Sequence, residues 1–182
     1  MKHLTRAELD AGLAHIQASP GDGGPVEMLV RRPRADEREM LDAGVLDLEE
    51  GLVGDNWVTD KYGLDPGEHR DSQITMMNAR AAALVAQSRE RWALAGDQLY
   101  VDLDLGKDNL PPGTRVQLGE AVIEVTALPH TGCRKFSARF GADATRFVNS
   151  KHGRQLNLRG INARVVEPGT VRVGDIARKI QP

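Results

Sequence analysis

The second half of the chain consists of short apolar runs separated by turn signals, and this restricts the fold more than any other feature. Residues 115–118 and 121–126 flank Gly119-Glu120, a two-residue step of the kind that closes a hairpin. Residues 161–166 and 171–176 flank Glu167-Pro-Gly-Thr170, a second turn signal. Residues 26–31 and 74–77 add two further candidate strands. With few helices between them, the pattern fits a mainly β fold, a barrel or sandwich with peripheral helices.

The helical signals are few and short. Thr5 and Glu8 have capping-box spacing, Leu4 with Leu9 fits a hydrophobic staple, and Leu9, Leu13 and Ile16 share one face, which predicts a helix over 4–17. The stretch from Pro20 to Pro25, with three glycines, ends it. Asn78 is placed to cap a helix through Ala81, Leu84 and Val85. Residues 143–150 read as a short helix, 33–50 are highly charged and fit no element clearly, 51–57 are turn-rich, and 60–71 read as loop. The expected organisation is an N-terminal helix and linker (1–25) packed on a barrel domain (26–182).

A chain of 182 residues suits one domain. Hydrophobic residues at 40% and charged residues at 27% place it among soluble globular proteins. Aromatics are only 4%, which argues against stacking platforms for single-stranded nucleic acid. A net charge of −2 argues against a general binder of nucleic acid or anionic membrane. No stretch has the apolar length of a membrane span, and the N-terminus lacks the apolar core of a signal peptide. One cysteine rules out an internal disulfide framework. Cytoplasmic localisation and a small-molecule partner, with no nucleic acid and no membrane, are the expectations.

That single cysteine, Cys133, lies in a dense polar stretch, Pro129-His-Thr-Gly-Cys-Arg-Lys-Phe-Ser-Ala-Arg-Phe-Gly141. A thiolate is a strong nucleophile and a soft metal ligand, and neighbouring cations favour it. A lone cysteine is more often a small buried hydrophobe; the polar surroundings weigh against that here. Arg134, Lys135, Arg139, Arg146, Lys151, His152, Arg154 and Arg159 follow, with Asp143 the one acid between 130 and 160. Such a basic segment suits a phosphate or other anion, through the planar forks of arginine; the alternative is a solvated charged face. A structural zinc site would need paired Cys and His, and His130 with Cys133 makes one pair at most. An iron–sulfur cluster needs more cysteines, and neither a Walker loop nor a dinucleotide fingerprint is present. A Cys/His nucleophile–base pair with His130, His152 or His69 stays open.

Taken in order, these residues resemble the MOSC domain family, named after the C-terminal domain of molybdenum cofactor sulfurases. Leu52-Val-Gly-Asp55, then His69-Arg70 with Gln73-Ile-Thr75, resemble the family's early motifs. Residues 110–126 resemble the hairpin leading to its cysteine, and Cys133 falls where that cysteine is expected. Residues 158–165 and 169–175 are similar to its final hairpin. The likeness covers roughly residues 26–180 and marks a stand-alone single-domain member. Two positions depart: Asn56-Trp57 stands where the family often has Arg-His, and Gly96-Asp-Gln-Leu99 replaces Gly-Glu-Asn-Leu.

The resemblance implies a closed mixed β-barrel with short helices outside. It implies the molybdenum cofactor (molybdopterin), with Cys133 as both metal ligand and catalytic residue. Arg134, Lys135, Arg139, Arg154, Arg159, His130 and Asn157 are the implied cofactor-binding residues. Pyridoxal phosphate binding is a further expectation. The implied activity is reduction of N-hydroxylated compounds such as hydroxylaminopurines and amidoximes, which needs an external electron donor protein. Two other readings are carried beside it: a sulfur carrier with a Cys133 persulfide supplied by a cysteine desulfurase, and a binding module for a phosphorylated ligand with Cys133 inert.

Overall fold

The computed structural model describes residues 2–59 and 66–180. Eleven strands are described: β1 (Gly24–Arg31), β2 (Glu39–Leu41), β3 (Ala43–Asp47), β4 (Gly51–Leu52), β5 (Ile74–Asn78), β6 (Leu99–Val101), β7 (Arg115–Leu118), β8 (Ala121–Val125), β9 (Ile161–Glu167), β10 (Gly169–Arg172) and β11 (Ile176–Ile180). The helices are α1 (Arg6–Ala11), α2 (Leu13–Gln17), α3 (Pro66–Asp71), α4 (Ala79–Ala86), α5 (Arg134–Phe140), α6 (Ala142–Asn149) and α7 (Lys151–Gln155), with 3-10 turns at Asn56–Val58 and Arg89–Ala95.

Seven strands run in the order β11-β7-β8-β9-β5-β6-β1, and pairing of β1 with β11 closes them into a barrel. β2 adds an extra strand outside β1. Only β5 and β6 pair in parallel, joined through α4, so the barrel is mixed. This is the closed mixed barrel with outlying short helices that the sequence suggested. β10, β3 and β4 form a separate small sheet.

Period-two alternation builds two cores. Ile74, Met76, Leu99, Val101, Ile123, Val125, Ala163 and Val165 fill the barrel. Their neighbours Met77 and Tyr100 point the other way, into a layer with Leu9, Ile16, Val85, Phe136, Phe140 and Phe147 from the helices. Val26 and Leu29 both face inward although three residues apart, because the ladder with β6 slips between Val26 and Met28.

Several expectations change in detail. The capping box is present, with Thr5 N–H donating to Glu8 Oε2 at 2.7 Å, but the helix over 4–17 breaks at Gly12 into α1 and α2. α1 packs against α6 and α2 against α4. Within the expected loop over 60–71, residues 66–71 form α3, and 60–65 lie outside the described residues. The charged stretch 33–50 supplies β2 and β3. The second turn signal does not close a hairpin between neighbours. After Pro168, which has no N–H to donate, the chain enters β10 on the small sheet and returns to the barrel only as β11. Gly119 at φ +58 does make the tight step between β7 and β8.

Among the described residues, no helix is long and apolar enough to cross a membrane.

Candidate functional site: an open thiol in an arginine-lined cleft

From the end of β8 the chain crosses one end of the barrel as a strap that is pinned at several points. Thr126 Oγ1 donates to the Asp71 carbonyl at 2.6 Å, and Asn162 Nδ2 to the Leu128 carbonyl at 3.0 Å. Gly132 exchanges two bonds with the Asn149 amide, each 2.9 Å. The next residue, Cys133, has extended backbone (φ −101°, ψ −177°) and immediately precedes α5. Its thiol is exposed and forms no capping bond. A fixed backbone thus presents an open sulfur to a cleft of about 660 Å³, within the size range of small-molecule sites.

Arg32, Arg38, Arg134, Lys135, Arg139 and Arg159 all line this cleft, with Asp36 as the acid in its lining. Four of them are held in one way. The 3-10 turn Arg89–Ala95 ends with a row of carbonyls, and each accepts from a different arginine. Arg38 Nε reaches the Ala93 oxygen at 3.2 Å, and Arg139 Nη1 reaches Leu94 at 2.8 Å. Arg159 Nη2 reaches Ala95 and Arg32 Nη1 reaches Gly96, each at 2.8 Å. Helix-end carbonyls carry partial negative charge, so cations suit them; that of Ala93 also accepts from the Gly96 N–H at 3.2 Å. The arginines come from the end of β1, the loop after it, α5, and the turn before β9.

Three of these arginines also meet carboxylates: Arg32 with Asp55 (2.7 Å), Arg139 with Asp36 (2.9 Å) and Arg159 with Asp97 (2.6 Å). Asp97 is fully buried and also accepts from His130 Nε2 at 2.7 Å. Burial opposes its charge, but Arg159 and His130 outweigh that and bring its pKa down to about 2. His130 is shifted down, chiefly by desolvation and then by repulsion from Arg159, against the pull of Asp97. At neutral pH the pair is therefore a hydrogen bond from Nε2–H to a carboxylate, and Nδ1 is left as an acceptor. Arg159 lies 5.1 Å from the centre of the Phe136 ring. Its Nε is buried with no partner, and so is Asn56 Oδ1.

Asn56 and Trp57 form another wall of the cleft. Trp57 stacks on His69 at 4.1 Å and 7°. Trp57 Nε1–H donates to the His69 carbonyl at 3.1 Å, and His69 Nε2–H donates to the Trp57 carbonyl at 2.9 Å. These reciprocal bonds fix both rings. Behind them, Gln98 Oε1 accepts from the Thr75 N–H at 2.8 Å and its Nε2 donates to the Gln73 carbonyl.

The sequence-derived residues line two adjoining cavities, with His130 and Arg159 shared by both. His130, Cys133, Arg134, Lys135, Arg139 and Arg159 line the thiol cleft. Arg154 and Asn157 do not. They line a neighbouring cavity of about 260 Å³ across the 128–131 strap, where Arg154 Nε donates to the Asn149 carbonyl and Asn157 Nδ2 to that of Leu105. Arg134 and Lys135 sit on the first turn of α5. Arg32, Arg38 and Asp97 were missed as site residues. Asp97 was visible as a departure from a family motif; Arg32 and Arg38 gave no local signal, since they join the site only through the carbonyl row.

The chain thus forms a closed mixed barrel with an open cysteine beside a basic cleft, and the MOSC domain model matches its residues 64–178. The chain belongs to the MOSC domain family. Solved structures with this fold include YuaD from Bacillus subtilis, at TM-score 0.59 and 17% identity over 87% of this chain and 97% of that one. YiiM from Escherichia coli aligns at TM-score 0.55 and 20% identity over 87% of this chain and 70% of that one. YiiM from Geobacillus stearothermophilus aligns at 0.54 and 13% over 88% and 73%. No curated protein matches the chain.

Proposed function

We propose that the cleft binds the molybdenum cofactor through Cys133 and reduces N-hydroxylated compounds. The observation that carries this reading is the open thiol in an arginine-lined cleft of a MOSC-family chain. Among the described residues no three His, Cys, Asp or Glu side chains cluster as a metal site. A metal here must therefore bring most of its ligands, as a dithiolene does, and take one soft thiolate from the protein. Arg159 Nε–H is buried without an acceptor, which suits an anionic group, whereas Asn56 Oδ1 is buried without a donor. Pyridoxal phosphate fits less well, because the lysine in the cleft lining, Lys135, is exposed and offers no enclosed amine.

When bound, the cofactor supplies two-electron transfer to the N–O bond. The residues of the chain supply the rest. Cys133 is the ligand to the metal. Arg134, Lys135 and Arg159 hold the anionic tail. Conversion of R–NHOH to R–NH2 and water takes up two electrons from a donor protein and two protons. His130, oriented by Asp97, takes up a proton at Nδ1 before handing it on.

Protein loaded with cofactor and given an artificial electron donor should reduce a hydroxylaminopurine, and Cys133→Ser should not. Full activity in Cys133→Ser would sink the mechanism. The exposure of Cys133 favours one second reading, a persulfide carrier, since a partner enzyme can reach the sulfur. That reading predicts a mass gain of one sulfur on Cys133 after incubation with a cysteine desulfurase and cysteine.

A further inference from the structure

The four arginines held by the carbonyl row are not equally committed. Arg32 places Nε and Nη2 on Asp55 and Nη1 on the Gly96 carbonyl. Arg139 and Arg159 each meet one carbonyl and one carboxylate. Arg38 is different. Its Nε and Nη1 donate to the carbonyls of Ala93 and Glu37, and among the described residues no carboxylate bonds it. A guanidinium has five N–H donors, so Nη2 and one Nη1 hydrogen remain uncommitted. Nη2 has no protein partner among the described residues and is not enclosed, and Arg38 lines the cleft. Desolvation, then the charges of Arg139 and Arg32, disfavour its cation, against a weaker pull from Asp36, which is itself bonded to Arg139. A guanidinium held in place by neutral carbonyls, crowded by two like charges and open on one side, is completed by an anion.

We propose that Arg38, backed by Arg139, is a seat for a phosphate monoester carried by the substrate, so that the preferred substrate is a nucleotide rather than a free base. The position of the seat supports the substrate as its source. Arg134 and Lys135 directly follow Cys133, whereas Arg139 lies six residues beyond it on α5. At the rise of an α-helix that is about 9 Å from the thiol end. The cations beside the thiol would hold the cofactor's anionic tail, and the Arg38 seat serves the far end of an elongated substrate. The proposal rests on the functional reading above only in placing the reacting end at Cys133.

Calorimetric titration of the purified, metal-free full chain with adenosine monophosphate and with adenosine tests it. The nucleotide should bind roughly 10-fold or more tighter than the nucleoside, as expected for one charge-assisted hydrogen-bonded anion. Inorganic phosphate should compete with the nucleotide. Arg38→Gln should abolish the preference, Arg38→Lys should restore part of it, and Cys133→Ser should keep it. Equal binding of the two ligands, or an undiminished preference in Arg38→Gln, overturns the proposal. Molybdenum and pterin retained by each variant separate the two sources of phosphate. Arg38→Gln should keep wild-type cofactor content; loss of cofactor with nucleotide preference intact assigns the seat to the cofactor's own phosphate and overturns the proposal. Because nucleotide binding is read without metal, it stays interpretable even if the reductase reading fails.

Discussion

Asp97 decides the local charge state of the cleft. Its side chain is inaccessible to solvent and bonds both Arg159 and His130. Asp97→Asn keeps the shape but leaves Arg159 buried beside a neutral amide. Breaking a buried pair from one side typically loses about 3–5 kcal/mol. The variant should melt at a clearly lower temperature; an unchanged melting temperature would contradict the role given to this carboxylate. The pH dependence follows from the same group. A pKa lowered from 3.8 to about 2 contributes stability that is fully present above the unfolded value and is lost as pH falls through the folded one. The shift corresponds to roughly 2 kcal/mol. His130 acts in the same direction: its lowered pKa means the unfolded chain takes up protons first, so stability starts to fall below about pH 6.5. Denaturant melts from pH 7 to 3 should therefore show a stability loss that Asp97→Asn and His130→Gln each reduce. In the sequence, Cys133 and its adjacent cations stood out because they are contiguous. The acid-poor character of 130–160 is real locally, yet Asp36, Asp55 and Asp97 reach three of the cleft's arginines from distant segments, which no local pattern encodes.

Strands were easier to read than their partners. The period-two runs at β1, β5, β7, β8 and β9 are strong because one face of each fills the barrel. Pairing is decided at long range, so β10 joining β3 rather than β9 was not legible. The split of the first helix at Gly12 was also hidden: a Cβ there would lie 2.6 Å from Leu84 Cδ1, a contact made across the fold. The turn that delivers Arg159 has a similar constraint. Gly160 has φ +118, and a Cβ on it would lie 2.4 Å from the Met76 carbonyl oxygen and 3.1 Å from His130 Cδ2. Gly160→Ala strains the backbone and pushes β9 away from β5. It should destabilise the fold by about 1–3 kcal/mol and weaken cofactor retention together with it. A stable, fully loaded Gly160→Ala protein would show that this close approach is dispensable.

For the whole molecule, the barrel core and the helical layer are separate cores sharing the walls of β1, β5 and β6. The N-terminal helices contribute Leu9 and Ile16 to the outer layer and none to the barrel interior. Deleting residues 2–18 exposes apolar surface of α4 and α6 while leaving barrel closure through β1 and β11 intact. At about 1.5–3 kcal/mol per buried aliphatic side chain, and 2–4 °C per kcal/mol for a chain of this size, the melting temperature should drop on the order of 10 °C with a cooperative transition retained. Loss of all cooperative folding would mean that the helices are needed to form the barrel itself.

The central claim is that this barrel holds the molybdenum cofactor by one thiolate. Molybdenum and pterin quantified on protein purified from a host that assembles the cofactor test it most directly, with wild type and Cys133→Ser measured side by side. The account predicts stoichiometric molybdenum and pterin in the wild type, and loss of the metal from a Cys133→Ser protein that keeps its melting temperature. Wild-type protein that carries neither metal nor pterin, or Cys133→Ser protein that holds molybdenum as tightly as wild type, would contradict it.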